Sequence, residues 1–149
     1  ECVKLLLAAP GIDVNKANPY GDPPLCGAAY EGRTEIVKLL LAAPGIEVNK
    51  ADPYGYTPLC WAAVRGHTAC VKLLLAAPGI EVNKADKDGM TPLYRAARGG
   101  YTACVKLLLA APGIDVNKAD KAGRTPLKWA ADNGHTKCVK LLKAAGAKK

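Results

Sequence analysis

The sequence has no phenylalanine, one methionine and two histidines, and its aromatic residues are two tryptophans and six tyrosines. A core built without phenylalanine must come from leucine, valine, isoleucine, alanine and cysteine. No stretch of about 18 consecutive apolar residues occurs, so we expect no membrane-spanning helix. No Ser-His-Asp or Cys-His arrangement, phosphate-binding loop or acid pair stands out, so we expect no enzymatic activity and no cofactor.

The chain repeats itself with a period of 34 residues. Thr-Pro-Leu begins at Thr57, Thr91 and Thr125, and Pro-Pro-Leu takes its place at Pro23. The sequence Val-Lys-Leu-Leu begins at Val3, Val37, Val71, Val105 and Val139. A fixed period of this length is the signature of a solenoid, in which each unit packs on the next. We therefore predict a single domain over residues 1–149, with a half repeat at 1–17 and repeats at 18–51, 52–85, 86–119 and 120–149.

Each repeat contains the signals for two helices joined by a turn. In the second full repeat, Thr57 is placed to cap the first helix and Pro58 to begin it. Gly66 then interrupts the chain before a second, longer apolar segment, and Gly55 stands where a tight turn needs a positive φ angle. In the first full repeat Pro23 replaces the threonine, so we expect that helix to lack a side-chain cap.

This unit closely resembles the ankyrin repeat, whose period is about 33 residues and whose signature is Thr-Pro-Leu-His-x-Ala. The resemblance covers essentially the whole chain, although the period is one residue longer and the histidine is absent. Its place is taken by Cys26, Cys60, Tyr94 and Lys128. The resemblance implies an all-α solenoid of helix-turn-helix units with hairpin-like finger loops. It also implies a non-catalytic function in protein–protein interaction.

The two ends of the array differ in polarity. Lys143 stands where the other repeats have leucine, and Lys137 replaces Ala69 and Ala103. Polar residues suit a terminal repeat, because no following repeat covers its face. The segment before Pro10 keeps the apolar pattern of an interior repeat. We therefore expect the chain to be the C-terminal end of a longer array, either monomeric or weakly associated end to end.

The six cysteines follow the same period and occupy two repeat positions. One position holds Cys26 and Cys60, and the other holds Cys2, Cys70, Cys104 and Cys138. Equivalent residues of stacked repeats lie about 8–10 Å apart, which is too far for a disulfide. No Cys-x-x-Cys or Cys/His cluster has the spacing of a zinc site. We expect free thiols, no bound metal and an intracellular location, with the cytoplasm favoured.

The residues that differ between repeats cluster in the turn before Thr-Pro-Leu and in the first helix. Tyrosine, tryptophan and arginine are concentrated there, which is the composition of protein interface hot spots. The ankyrin resemblance implies that these segments line a concave binding groove. The partner-binding candidates are Tyr20, Tyr30, Tyr54, Tyr56, Trp61, Arg65, Met90, Arg95, Arg98, Arg124 and Trp129. For Tyr94 and Tyr101, packing across neighbouring repeats is an equally favoured interpretation.

The net charge of +8 is compatible with a nucleic acid as the partner, but the position of the basic residues favours an acidic protein segment. Arginines make the C-terminal half of the predicted groove basic, so we expect a protein or peptide with acidic and apolar groups. A second set of cations forms a ladder at Lys4, Lys38, Lys72, Lys106 and Lys140. Such a ladder is more typical of a solvated face than of a nucleic acid site, which remains the less favoured alternative. The near-identical repeats fit natural duplication and an engineered scaffold without a natural partner equally well.

Overall fold

The computed structural model describes Asn15, Pro19 and residues 21–147. The rest of the predicted half repeat at 1–17, with Cys2, lies outside the described residues, as does the candidate Tyr20. Within the described part, eight α-helices form four pairs and no strand is present. The helices are α1 Pro24–Glu31, α2 Thr34–Ala42, α3 Pro58–Arg65, α4 Thr68–Leu75, α5 Pro92–Gly99, α6 Thr102–Leu109, α7 Pro126–Asp132 and α8 Thr136–Ala144.

The helices stack in two layers. The first helices of successive repeats, α1, α3, α5 and α7, contact one another in order, and so do the second helices, α2, α4, α6 and α8. The two helices of each repeat also pack together. The core between them is aliphatic; one repeat contributes Leu59, Ala62, Ala63, Cys70, Val71 and Leu74. This arrangement confirms the predicted all-α solenoid of helix-turn-helix units.

Threonine caps begin three of the four first helices, as predicted. The hydroxyl of Thr57 accepts a hydrogen bond from the backbone N–H of Cys60 at 3.2 Å. Thr91 and Thr125 cap α5 and α7 in the same way, at 3.1 and 3.2 Å. Pro23 gives α1 no side-chain cap. The first described helix therefore lacks an interaction commonly worth about 1 kcal/mol.

A buried aspartate holds the finger turns of the last three repeats in shape. The Oδ1 atom of Asp52 accepts hydrogen bonds from the backbone N–H groups of Tyr54 and Tyr56, at 3.0 and 2.9 Å. Asp86 and Asp120 make the equivalent pairs of bonds in the next two repeats. The backbone N–H of Asp52 also donates to the carbonyl of Tyr56 at 3.0 Å. The fingers are thus hairpin-like, as the family resemblance implied.

Asparagine side chains connect the loops of adjacent repeats. The Nδ2 atom of Asn49 donates to the carbonyl of Gly79 at 2.9 Å, and its Oδ1 accepts from the N–H of Glu81 at 2.9 Å. Asn83 makes the same two bonds to the following repeat, each at 2.8 Å. Because both ends of the amide are used, this bridge fixes the spacing between repeats.

Two tyrosines outside the repeated pattern pack between repeats. Tyr94 is fully buried, and its hydroxyl donates to Oδ2 of Asp120 at 2.6 Å. The prediction of a core without aromatic residues is therefore wrong at Tyr94, because a polar partner in the next repeat satisfies its hydroxyl. Tyr101 covers Gly66, which ends α3 with φ of 72° and has no room for a Cβ atom.

The C-terminal face carries both polar and small apolar side chains. Lys143 is exposed on this face. Ala131 is exposed as well, whereas its equivalents Ala63 and Ala97 are fully buried under a following repeat. The substitution at Lys137 is not specific to the end, because the alanines at this position of the interior repeats are also exposed.

The five described cysteines are free and buried. Burial raises the pKa of Cys60 to about 11, outweighing the hydrogen bond from Thr57. The Cys60 thiolate is therefore scarce near neutral pH, and thiolates are the species that form disulfides. We expect six thiols to titrate in denaturant without reductant, and to react only slowly in the folded chain. An internal bridge in the intact mass, or four or fewer reactive thiols, would contradict this prediction.

Candidate partner-binding surface

Three aromatic rings from two repeats meet around Trp61. Tyr30 on α1 lies edge-on to the Trp61 ring, with centroids 4.8 Å apart and planes at 88°. Tyr56, from the finger turn, is tilted against the same ring at 4.5 Å. The indole Nε1 of Trp61 donates to Oδ2 of Asp52 at 2.9 Å, which fixes the ring orientation. We call Tyr30, Tyr56 and Trp61 the Trp61 cluster.

Two exposed candidates border this cluster. The guanidinium of Arg65 lies over the Tyr30 ring, 4.9 Å from its centroid. Arg65 makes no ion pair with any described residue. Tyr54, in the same finger turn as Tyr56, is 69% exposed. Both side chains can therefore contact a partner without breaking an ion pair or a side-chain hydrogen bond within the described region.

The Arg95 side chain is held by internal contacts and is not a free surface charge. Its Nη2 lies 2.6 Å and its Nε 3.0 Å from Oδ2 of Asp86, and Nη2 also donates to the hydroxyl of Tyr56 at 2.8 Å. Only 12% of the Arg95 side chain and 1% of the Asp86 side chain are exposed. Burial raises the pKa of Tyr56, while the charge of Arg95 acts in the opposite direction. The expectation that Arg95 gives the groove a basic flank is thus not supported by its environment.

Two arginines lie against Trp129. The guanidinium groups of Arg98 and Arg124 are each 4.9 Å from the centroid of its ring. Arg124 is also anchored, because its Nε lies 3.0 Å from Oδ2 of Asp120. Arg98 is exposed and has no carboxylate partner among the described residues. We call Arg98, Arg124 and Trp129 the Trp129 cluster.

Met90 occupies the repeat position of Tyr56 and Arg124 but does not join either cluster. Its side chain is only 8% exposed. An apolar thioether at this position turns inward because it loses nothing by leaving water. Of the candidates, Met90 and Arg95 therefore offer a partner little surface.

A sequence model of ankyrin repeats, with three copies, matches residues 1–86 and 79–149. The chain belongs to the ankyrin repeat family. Ankyrin repeats are generally protein–protein interaction modules, and the proteins that contain them are generally non-enzymatic scaffolds. A comparison with curated proteins found no match.

The buried aspartates organise both clusters of this ankyrin repeat chain, a role that was not predicted from the sequence. The available signal was an aspartate at the same position of three successive repeats, Asp52, Asp86 and Asp120, where the first full repeat has Asn18. Burial acts to raise the pKa of Asp120, but hydrogen bonds from Tyr94 and two backbone N–H groups, with the charge of Arg124, outweigh it and hold the pKa at about 2. The carboxylate is therefore charged, and each of its oxygens has a defined partner.

Both histidines of the ankyrin repeats contact a backbone carbonyl of the preceding repeat. Nε2 of His67 lies 3.0 Å from the carbonyl of Tyr30, and Nε2 of His135 lies 3.1 Å from the carbonyl of Arg98. Each ring thus links one repeat to the preceding one. Between residues 21 and 147, no group of three or more His, Cys, Asp or Glu side chains has the geometry to hold a metal ion. No helix of that region has the length and apolar character to cross a membrane.

Proposed function

We propose that this ankyrin repeat chain is a non-catalytic module that binds a partner protein or peptide through its first-helix surface. This surface consists of Tyr30, Tyr54, Tyr56, Trp61, Arg65, Arg98, Arg124 and Trp129, with Tyr20 as a further candidate. The main support is that two tryptophans, at equivalent positions of two first helices, each contact an exposed side chain. Tyr30 contacts Trp61, and Arg98 lies over Trp129. Tryptophan, tyrosine and arginine dominate the binding energy of protein interfaces.

The charges of this surface favour a partner with acidic and apolar groups. Arg65 and Arg98 are exposed, lie over aromatic rings and have no carboxylate partner within the described region. A carboxylate of the partner can bind either guanidinium without displacing an internal ion pair. The neighbouring rings provide the apolar contact that an anchor side chain needs.

The alternative partner is a nucleic acid, and one observation supports it. Lys38, Lys72, Lys106 and Lys140 are all exposed, one on each second helix. Such a row can follow phosphates, although no aromatic residue lies within it for stacking on bases. An engineered scaffold would have the same first-helix surface without a natural partner. We place the chain inside the cell, with the cytoplasm favoured, because its described thiols are free.

Affinity capture with the immobilised chain tests this proposal. The lysate is divided and one half is treated with nuclease before capture. We expect the same protein in both halves, and affinity for the purified protein that changes modestly between about 50 and 200 mM salt. Loss of capture after nuclease, with affinity falling by about a hundredfold or more over that salt range, would indicate a nucleic acid partner instead.

A further inference from the structure

The aspartate of each of the last three finger turns is followed, nine residues further on, by a large first-helix side chain. In the second full repeat, Nε1 of Trp61 donates to Oδ2 of Asp52 at 2.9 Å. In the third, Nη2 of Arg95 donates to Oδ2 of Asp86 at 2.6 Å. The equivalent side chain of the last repeat is Trp129, but its Nε1 is buried and has no hydrogen-bond partner among the described residues. Such buried N–H groups are rare in folded proteins.

Other donors occupy the carboxylate oxygen that Trp129 would use. Oδ2 of Asp120 accepts from the Tyr94 hydroxyl at 2.6 Å and from Nε of Arg124 at 3.0 Å. Burial raises the pKa of Tyr94 to about 12, whereas the indole N–H of Trp129 acts to lower it. The indole N–H thus faces the Tyr94 hydroxyl, without the geometry of a hydrogen bond. It lies beside the donors that hold Oδ2 and is not one of them.

Arg124 is held more loosely than Arg95. Only Nε of Arg124 contacts Asp120, whereas both Nε and Nη2 of Arg95 contact Asp86. The Arg124 side chain is 40% exposed, against 12% for Arg95. Its guanidinium otherwise lies over the Trp129 ring. The side chain can therefore turn outward while the backbone N–H and carbonyl of Arg124 keep their bonds to Asp120.

Asp52 shows that a finger carboxylate can be held by an indole N–H without a cation. It is only 6% exposed, and its Oδ1 accepts from two backbone N–H groups, as that of Asp120 does. Its Oδ2 accepts from Trp61, and no lysine or arginine of the described region pairs with it. The same arrangement forms at Asp120 if Trp129 donates in place of Arg124.

We propose that Arg124 leaves Asp120 to bind a carboxylate of the partner, and that the indole N–H of Trp129 replaces it at Oδ2 of Asp120. This inference rests on the proposed function and adds a third guanidinium to those of Arg65 and Arg98. The replacement makes the exchange easier, because the buried carboxylate is not left without a donor. Since Arg98 lies against the same ring, an acidic segment meets two guanidinium groups at the Trp129 cluster.

The exchange is tested first without a partner, by NMR of the whole ¹⁵N-labelled chain. The indole signals of Trp61 and Trp129 are assigned with a Trp129→Phe variant. Arg124→Ala should move the Trp129 indole proton downfield, because that proton gains a charged acceptor. Arg98→Ala is the matched control: it removes a guanidinium at the same 4.9 Å from the ring but breaks no bond to Asp120, so it should cause no such shift. Equal shifts in the two variants, or none in Arg124→Ala, would overturn the inference.

Urea unfolding gives a second readout of the same exchange. In the wild type, Trp129→Phe removes an N–H group that makes no bond. In the Arg124→Ala background, it also removes the replacement donor of Asp120, so it should lower the urea midpoint more than in the wild type. Additive effects of the two substitutions would contradict the exchange.

The partner's role is tested with capped aspartate, N-acetyl-aspartate amide, as the carboxylate probe. We expect a saturable downfield shift of the Trp129 indole proton in the wild type, and none in Arg124→Ala or at Trp61. No shift in the wild type, or the same shift in Arg124→Ala, would overturn the inference. If the captured partner binds Arg124→Ala with unchanged affinity but binds the double variant Arg65→Ala with Arg98→Ala more weakly, Arg124 is not used and the proposed function stands.

Discussion

Replacing Arg95 with alanine is expected to lower the free energy of unfolding by about 3–5 kcal/mol. The substitution leaves Oδ2 of Asp86 charged and buried with its guanidinium partner removed, and the Tyr56 hydroxyl loses its donor. Breaking a buried pair on one side costs far more than the pair itself contributes, because the remaining charge cannot reach water. Urea unfolding followed by circular dichroism measures the loss.

Arg98→Ala is the matched control for this prediction. Arg98 lies three residues further along the same sequence segment, on the same helix, and is exposed with only a ring contact. We expect its removal to cost less than about 1 kcal/mol. If Arg95→Ala costs no more than Arg98→Ala, the internal role assigned to Arg95 is wrong.

Replacing Asp120 with asparagine is expected to destabilise the chain by about 3 kcal/mol at pH 7. The carboxylate accepts bonds from the Tyr94 hydroxyl, from Nε of Arg124 and from the backbone N–H groups of Ala122 and Arg124. Hydrogen bonds to charged groups contribute about 1.5–3 kcal/mol each, and the amide keeps only some of them. The loss should appear as a lower urea midpoint with an unchanged slope.

The pH dependence of stability distinguishes the contribution of the Asp120 charge from the contribution of its side-chain shape. Its pKa is about 2 in the folded chain, below the value of about 3.9 in an unfolded one. The charge therefore stabilises the fold above about pH 4, and this contribution is lost as the pH falls toward 2. The difference between the wild type and Asp120→Asn should shrink over that range. Asp132→Asn, which removes an exposed charge paired with Lys128, should show almost no such change; equal behaviour of the two variants would contradict the prediction.

The repeat unit was predictable because its signals are local. Thr57 and Pro58 specify the start of a helix through bonds within four residues, and Gly66 specifies its end through one φ angle. The period of 34 residues then carries each local prediction to the other repeats. The all-α solenoid follows from these short-range rules and from the need of each repeat to cover its apolar face.

The roles of individual surface side chains were not predictable in the same way. Arg95 and Arg98 are three residues apart, yet one is bound between Asp86 and Tyr56 and the other is free of ion pairs among the described residues. The partners lie as far as 39 residues away, as Arg95 and Tyr56 do. Such contacts depend on the side chains that a neighbouring repeat happens to present, and a pattern within one repeat does not contain that information. Tyr94, buried against Asp120 of the next repeat, is the same case.

The central claim is that the first-helix surface, and not the lysine ladder, binds the partner. Two double variants with equal loss of charge test it: Arg65→Ala with Arg98→Ala, and Lys72→Ala with Lys106→Ala. All four side chains are exposed, so neither variant should lose folding. Affinities for the captured partner are measured by titration calorimetry at one salt concentration. We predict at least a tenfold loss for the arginine pair, which corresponds to about 1.4 kcal/mol, and a change within about twofold for the lysine pair. An unchanged affinity of the arginine variant, together with a strongly reduced affinity of the lysine variant, would contradict the claim.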